Sequence, residues 1–287
     1  MPAEDPDQLR ERLVDALERT HALADATVAN AVRTVPRHAF ALWPPIHQAY
    51  AYGAFPVPTM KGDGLPSISQ PSTVTLMLEA LQLEPGHNVL EIGTGTGYNA
   101  ALLATIVGPA GYVSTIDIEP ELTQQAAERL RQHDITNVDV ICGDGTTGCS
   151  EHAPYNRIIA TVGVQEIPWA WADQLSDRRI ILAPVHLGGE PQDHVLLKLR
   201  KEDGHLVGEG IDAIAIIALR RDEPKTDASA SGRQGPDWRG ARVDALRVHI
   251  YAATEHHDPN ATQKILDRAH STIVLERSQS GPDEAQT

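Results

Sequence analysis

Along the first thirty-five residues apolar side chains recur at helical spacing, with Leu9, Leu13 and Leu17 on one stripe and Leu23, Val28 and Val32 on another. A polar break near Thr20–Asp25 separates two amphipathic helices, and Pro36 stops the second, because the residue before a proline is pushed out of the helical region. A third stripe, Val74, Met77, Leu78 and Leu81, predicts a helix over 72–81, with Ser72 or Ser69 placed to cap it. Between these helices, residues 43–71 carry Pro44, Pro45, Pro56, Pro58, Pro66 and Pro71 among apolar side chains such as Ile46, Tyr50, Phe55 and Met60. A long irregular segment of that apolarity is expected to line or cover a site.

From residue 84 the rhythm changes. Short apolar runs at 88–92, 111–116, 138–142, 155–161 and 179–184 alternate with helical patterns at 98–107, 120–133 and 168–175. That alternation predicts an α/β fold built on a doubly wound parallel sheet with helices on both faces, preceded by a helical cap. The runs at 194–201 and 210–219 are expected to form an antiparallel ending. The stretch 220–238 shifts to Asp, Glu, Pro, Ser and Gly, as in a linker. Beyond it, 242–253 alternates and 272–275 is apolar, the mark of strands in a small addition. The stretch 262–270 fits helix or strand, and the last ten residues read as disordered. The expected organisation is helices and substrate loop over 1–83, a ligand-binding core over 84–221, a linker over 222–240 and an extension over 241–287.

The chemistry concentrates at Val89-Leu-Glu-Ile-Gly-Thr-Gly-Thr-Gly97, where an apolar strand runs into three glycines and then a helix. Glycine lets backbone amides approach a ligand and permits positive φ. The spacing is G-x-G-x-G, not the G-x-G-x-x-G of a dinucleotide pyrophosphate loop. Glu91, at the end of that strand, could face an amine or hydroxyl. Asp117 follows Gly97 at the end of the second strand, where a carboxylate accepts from a ribose diol, and Asp144 ends the third, within reach of an adenine edge. All three lie on the carboxyl edge of the sheet, where ligands bind in this architecture.

Composition narrows the partners. The formal net charge of −15 over 287 residues, with no basic run interleaved with aromatics, argues against nucleic acid. Cys142 and Cys149 read as reduced thiols, and the polar, acidic N-terminus shows no signal-peptide pattern. The longest apolar run, around 214–219, is too short to span a bilayer, so a cytoplasmic protein is expected. No metal is expected: His256-His257-Asp258 falls in the extension, away from the strand ends, and reads as a solvated loop.

The glycine stretch is similar to motif I of class I S-adenosylmethionine-dependent methyltransferases. With Val35-Pro-Arg-His-Ala-Phe40, Ile68-Ser-Gln-Pro71, Gly143-Asp-Gly145, Tyr155-Asn-Arg-Ile-Ile159 and Glu166-Ile-Pro168, in that order, the chain over roughly 5–220 resembles the protein-L-isoaspartate (D-aspartate) O-methyltransferases. The resemblance implies a Rossmann-like class I fold. It implies S-adenosyl-L-methionine bound across Glu91, Gly93, Thr94, Gly95, Gly97, Asp117, Ile118, Gly143, Asp144 and Gly145. It also implies that Ser69 is the catalytic residue, orienting a carboxylate beside Ile68 and Gln70, with Thr161, Val162, Gly163 and Glu166 across the cleft. His186, which follows a strand on the same edge, joins this set as a substrate contact or a turn cap. The partner would be a peptide or protein bearing an aspartyl or isoaspartyl residue, its methyl ester closing to a succinimide.

The departures from the family lie on the substrate side. Aligned on Pro56, Tyr52 is present but Ala54 stands where the family has Asp, and the segment to Pro71 is longer and lacks the family's Gly-Gln-Thr lead. Pro184-Val185-His186 replaces Pro-Val-Gly, and residues beyond about 225 exceed the family's usual length. These changes lean towards tailoring of a ribosomally made peptide by aspartimide formation. General isoaspartyl protein repair is the alternative, and a non-catalytic binding protein of the same fold is the second.

Overall fold

The computed structural model describes residues 5–41, 45–56, 67–186, 193–202, 205–216, 219, 245–249 and 273–276. The expected linker, 262–270, the last ten residues, His256, His257, Asp258 and most of the longer segment before Ser67 lie outside the described residues.

The helical cap begins with α1 (Pro6–Arg19) and α2 (Ala26–Thr34), N-capped by Asp5 and Asp25, whose carboxylates accept from Asp7 N and from Thr27 N and Val28 N. The short helices α3 (Arg37–Phe40) and α4 (Ile46–Ala49) and the two-residue strands β1 (Phe55–Pro56) and β2 (Ser67–Ile68) lead to α5 (Pro71–Leu81). Glu79 of α5 ties the cap down, its Oε1 accepting from Ala24 N and Asp25 N at 2.6 and 2.7 Å. Neither serine caps α5. Gln70 is the N-cap without a side-chain cap bond, its Nε2 donating to Ser72 Oγ at 2.7 Å, and Pro71 takes the first helical position.

The core alternates β3 (Asn88–Ile92), α6 (Tyr98–Val107), β4 (Tyr112–Asp117), α7 (Pro120–Gln132), β5 (Val138–Cys142), β6 (Tyr155–Ala160), β7 (Ile167–Pro168), α8 (Trp169–Gln174) and β8 (Leu175–Val185). Then follow β9 (Asp193–Glu202), β10 (His205–Ala215), β11 (Ala245–His249) and β12 (Ile273–Glu276). The sheet order is β5-β4-β3-β6-β8-β9-β10-β12-β11-β7, parallel from β5 to β8 and antiparallel beyond. The doubly wound α/β fold expected of a class I methyltransferase is thus present.

The pleat explains the runs of consecutive apolar residues. Ile159, Ile180, Leu182 and Leu196 pack into a cluster with the cap helices and α6, while Ile158, Ile181, Ala183 and Leu197 pack into a second cluster with Trp171 of α8. Strands buried on both faces need no polar alternation, and each fully buried Leu or Ile contributes about 1.5–3 kcal/mol. The helices are unevenly shared: α1, α2, α5 and α6 cover one face. Two strands differ from expectation. β8 starts at Leu175, not 179, because it pairs with Tyr155 before the register shifts. β10 lies earlier than 210–219, paired with β9 from His205 to Ala215 around a bulge at Gly210–Asp212.

Candidate active site

β3 and β4 end side by side, and the glycine loop is built on that edge. Gly93 N and Thr94 N both donate to Ile116 O of β4, at 2.8 and 3.1 Å, which turns the chain sharply. Gly93 (φ +100°), Gly95 (φ +52°) and Gly97 (φ +86°) occupy positive-φ conformations that side chains resist. Their surroundings differ. A Cβ on Gly93 would lie 2.6 Å from Thr161 Oγ1, and one on Gly97 3.1 Å from Ala126 Cβ, so both are closed by the protein. Gly95 and Gly143 would meet nothing within 4 Å, so the space beside both is open.

The acidic residues divide the work. Asp117 Oδ2 accepts from Gly95 N at 2.9 Å and Oδ1 from Glu119 N at 3.1 Å. Each oxygen keeps a further lone pair, which suits a vicinal diol. Asp144 caps the turn after β5 through Oδ1, which accepts from Thr146 N and Oγ1 at 2.9 and 2.8 Å. Half-buried Ile118 sits beside Asp117, and Gly143 N donates to Asp117 O at 3.0 Å, joining the two acidic turns.

Glu91 is turned inward. Its expected amine and hydroxyl partners are the protein's own. The residue is fully buried, with Oε1 accepting from Asn99 Nδ2 at 2.8 Å and Oε2 from Thr115 Oγ1 at 2.6 Å. Thr115 Oγ1 also meets Thr94 Oγ1 at 2.8 Å, so Glu91 braces the glycine loop from beneath. Burial raises its carboxyl to about 7. Thr94 and Gly145 are likewise packed inside, Gly145 against Ile92 Cγ2 with its carbonyl accepting from Trp171 Nε1 at 2.8 Å.

Ser69 stands between β2 and α5, half-buried, next to buried Ile68 and half-buried Gln70. What holds it is Arg37, a residue that sequence reasoning left inside a family motif without a role. Arg37 is buried. Its Nη2 donates to Ser69 O at 2.7 Å, its Nε donates to Ala49 O at 2.8 Å, and its guanidinium lies 5.0 Å from the centre of the Tyr98 ring. Tyr98 is the first residue of α6, directly after Gly97. One side chain therefore connects the serine to the helix that closes the glycine loop. The signal was available: an arginine between Pro36 and His38, in a stretch apolar enough for a core, requires carbonyl partners when it is buried.

The far wall follows β6. Thr161 Oγ1 donates to Gly93 O at 2.7 Å and Thr161 N to Ile92 O at 2.9 Å, so this wall is pinned to the start of the glycine loop. Val162 is half-buried there, and Gly163 is packed so closely under the buried His194 ring that no Cβ would fit. Glu166 is half-buried just before β7. His186, at the end of β8, donates through its N–H to Val164 O at 2.8 Å, and its ring meets His194 edge-on at 5.5 Å between centroids. Among the described residues no cluster of three or more His, Cys, Asp or Glu could hold a metal. Cys142 and Cys149 are free, and no described helix is long and apolar enough to cross a membrane.

The open space beside Gly95 and Gly143, flanked by the Asp117 and Asp144 carboxylates, fits an adenosyl ligand. Comparison with known proteins identifies the family. The family model for protein-L-isoaspartate(D-aspartate) O-methyltransferase matches residues 8–223. A protein-L-isoaspartate O-methyltransferase of Methanococcus aeolicus is 39% identical over 209 residues, covering 73% of this chain and 93% of that protein. Protein-L-isoaspartate O-methyltransferase 2 of Archaeoglobus fulgidus is 36% identical over 216 residues, covering 75% and 94%. A solved protein-L-isoaspartate O-methyltransferase superposes with a TM-score of 0.69 at 31% identity, over 74% of this chain and 66% of the other. In fold alone, a Plasmodium falciparum protein crystallised with S-adenosyl-L-homocysteine is similar, with a TM-score of 0.63 at 20% identity over 74% and 99%. The chain belongs to the protein-L-isoaspartate (D-aspartate) O-methyltransferase family and is an S-adenosyl-L-methionine-dependent O-methyltransferase.

Proposed function

We propose that the chain methylates a side-chain or isoaspartyl carboxylate of a peptide or protein, and that the ester then closes to a succinimide. The observation that carries this reading is the Arg37 bridge, which sets Ser69 beside the helix of the glycine loop. Asp117, Ile118, Gly95, Gly143 and Asp144 hold the adenosyl end, with Gly93, Thr94, Gly97, Gly145 and Glu91 keeping the loop in shape. Bound S-adenosyl-L-methionine would supply a methyl group already activated on a sulfonium centre. A carboxylate is ionised at neutral pH, so no general base is required. Ser69 needs only to orient it, with Ile68 and Gln70 on one side and Thr161, Val162, Gly163, Glu166 and His186 on the other, while water is excluded. In the ester, a neighbouring backbone nitrogen attacks the carbonyl carbon, its proton leaves with the methoxy group as methanol, and the imide forms.

Two acceptors are compatible with this chemistry. The curated relatives are named for L-isoaspartate, and repair of such residues fits their likeness. Tailoring of a ribosomally made peptide is favoured by Ala54 in place of the family's Asp and by β11 and β12, which lie beyond the matched residues. Incubation of an isoaspartyl test peptide and an aspartate-bearing precursor peptide with the chain, read by mass spectrometry, tests both. A gain of about 14 Da reports ester and a loss of about 18 Da reports imide, the masses of a methylene gained and a water lost in acyl chemistry. Turnover of the isoaspartyl peptide alone removes tailoring, and turnover of neither removes the proposal. Ser69→Ala is expected to lower kcat about 10–100-fold by losing orientation.

A further inference from the structure

The wall at 161–168 is held in parts by different elements. Thr161 is tied to the glycine loop, and Val164 is tied to β8, donating to Pro184 O at 2.8 Å and bridging Val185. Two further anchors come from the C-terminal side. Leu219 N donates to Gly163 O at 2.7 Å. β11 pairs with β7 in the register Leu246↔Ile167 and Ala245↔Pro168. β11 in turn is carried by β12, and β12 by β10 through Leu206↔Leu275. Leu219 also lies close to Gly145, its Cδ1 3.7 Å from where a Cβ there would stand. β11 and β12 fall outside residues 8–223, the part matched by the family.

We propose that Leu219 and the added strands β11 and β12 act as a clamp that sets the position of the wall at 161–168 and thereby selects the acceptor peptide. The proposal rests on the reading of that wall as acceptor-facing. Two physical points carry it. Gly163 has no side chain with which to anchor itself and no room for one under His194, so its carbonyl is the handle, and Leu219 is the residue that grips it. β7 is only two residues long, its Ile167 buried in the core, and the strand that pairs its backbone is β11. Displacement of the wall would misplace the carboxylate relative to the methyl group, and misplacement by about 1 Å costs up to ~100-fold.

The test uses the full-length chain. Leu219→Pro deletes the N–H that Gly163 O accepts, Leu246→Pro interrupts β11 opposite Ile167, and Leu219→Ile keeps the amide. Both proline variants are expected to bind S-adenosyl-L-homocysteine with wild-type affinity by calorimetry, to raise KM for an isoaspartyl test peptide about tenfold, and to expose the amides of 163–168 to hydrogen exchange. Leu219→Ile is expected to restore wild-type KM. In the wild-type chain the Leu219 amide is expected to be protected, and an unprotected amide overturns the clamp even where a proline variant does not fold. Unchanged peptide KM and exchange in Leu246→Pro, or cofactor and peptide affinity lost together in both proline variants, also overturn it. No methylation by the wild-type chain sinks the acceptor reading, while the exchange measurement still decides whether the clamp exists.

Discussion

Glu91 has no exposure, and burial is the largest influence on its carboxyl, raising it from 4.5 to about 7 against hydrogen bonds from Thr115 and Asn99. A value above the unfolded one means that the folded chain holds the proton more tightly. The stabilisation is full below about pH 4.5 and is lost as pH rises through about 7, a change of about 3 kcal/mol. Glu91→Gln is expected to flatten the fall of Tm across that window; a retained slope assigns the titration to another group. The glycines give a paired prediction. Gly93→Ala puts a methyl 2.6 Å from Thr161 Oγ1 at φ +100°, so Tm and cofactor affinity should fall together, by about 2–3 kcal/mol in stability. Gly95→Ala meets open protein space at φ +52°, costing only about 1–2 kcal/mol of backbone strain. Its methyl enters the ligand's space, so calorimetry should show weakened S-adenosyl-L-homocysteine binding in a folded protein.

Among the elements, α5 shows how a helix is finished from outside. It ends at Gln82 in a left-handed conformation and has no basic residue in its last turn. Arg157 of β6 supplies the charge instead, donating to Leu81 O at 2.6 Å and Gln82 O at 2.7 Å. Burial lowers its guanidinium to about 10, still charged at neutral pH. Arg157→Met should shift the urea midpoint down by an amount equal to about 2–3 kcal/mol, because these carbonyls would be left buried without donors. Elements whose signal is local were legible: the runs at 88–92 and 138–142 and the helix at 98–107 stand where periodicity put them. The α5 cap was misread because Pro71 and Gln70 use the positions a capping serine would need. The shift of β10 was misread because its boundaries are set by β9, not by its own apolar run.

For the whole molecule, a net charge of −15 sets up an overall repulsion of acidic peptides and attraction of basic ones. Isoaspartyl peptides flanked by Lys should show a higher kcat/KM than the same peptides flanked by Glu, with the ratio shrinking as salt shortens the screening length to about 8 Å or less. Equal kcat/KM at low salt removes the field from acceptor choice.

The sequence by itself determined the α/β alternation, the glycine loop, and Asp117 and Asp144 at neighbouring strand ends, because strand period, positive φ and strand-end position are all encoded within a few residues. Only the tertiary structure decided three things. Glu91 faces inward, because Thr115 and Asn99, distant in sequence or on another element, take both its oxygens. Arg37 joins Ser69 to α6, because burial forces its donors onto carbonyls of Ala49 and Ser69, brought to it by the cap. β11 reaches back to β7, because an unpaired strand edge takes whatever backbone the fold brings alongside it, and that pairing is not written in either strand alone.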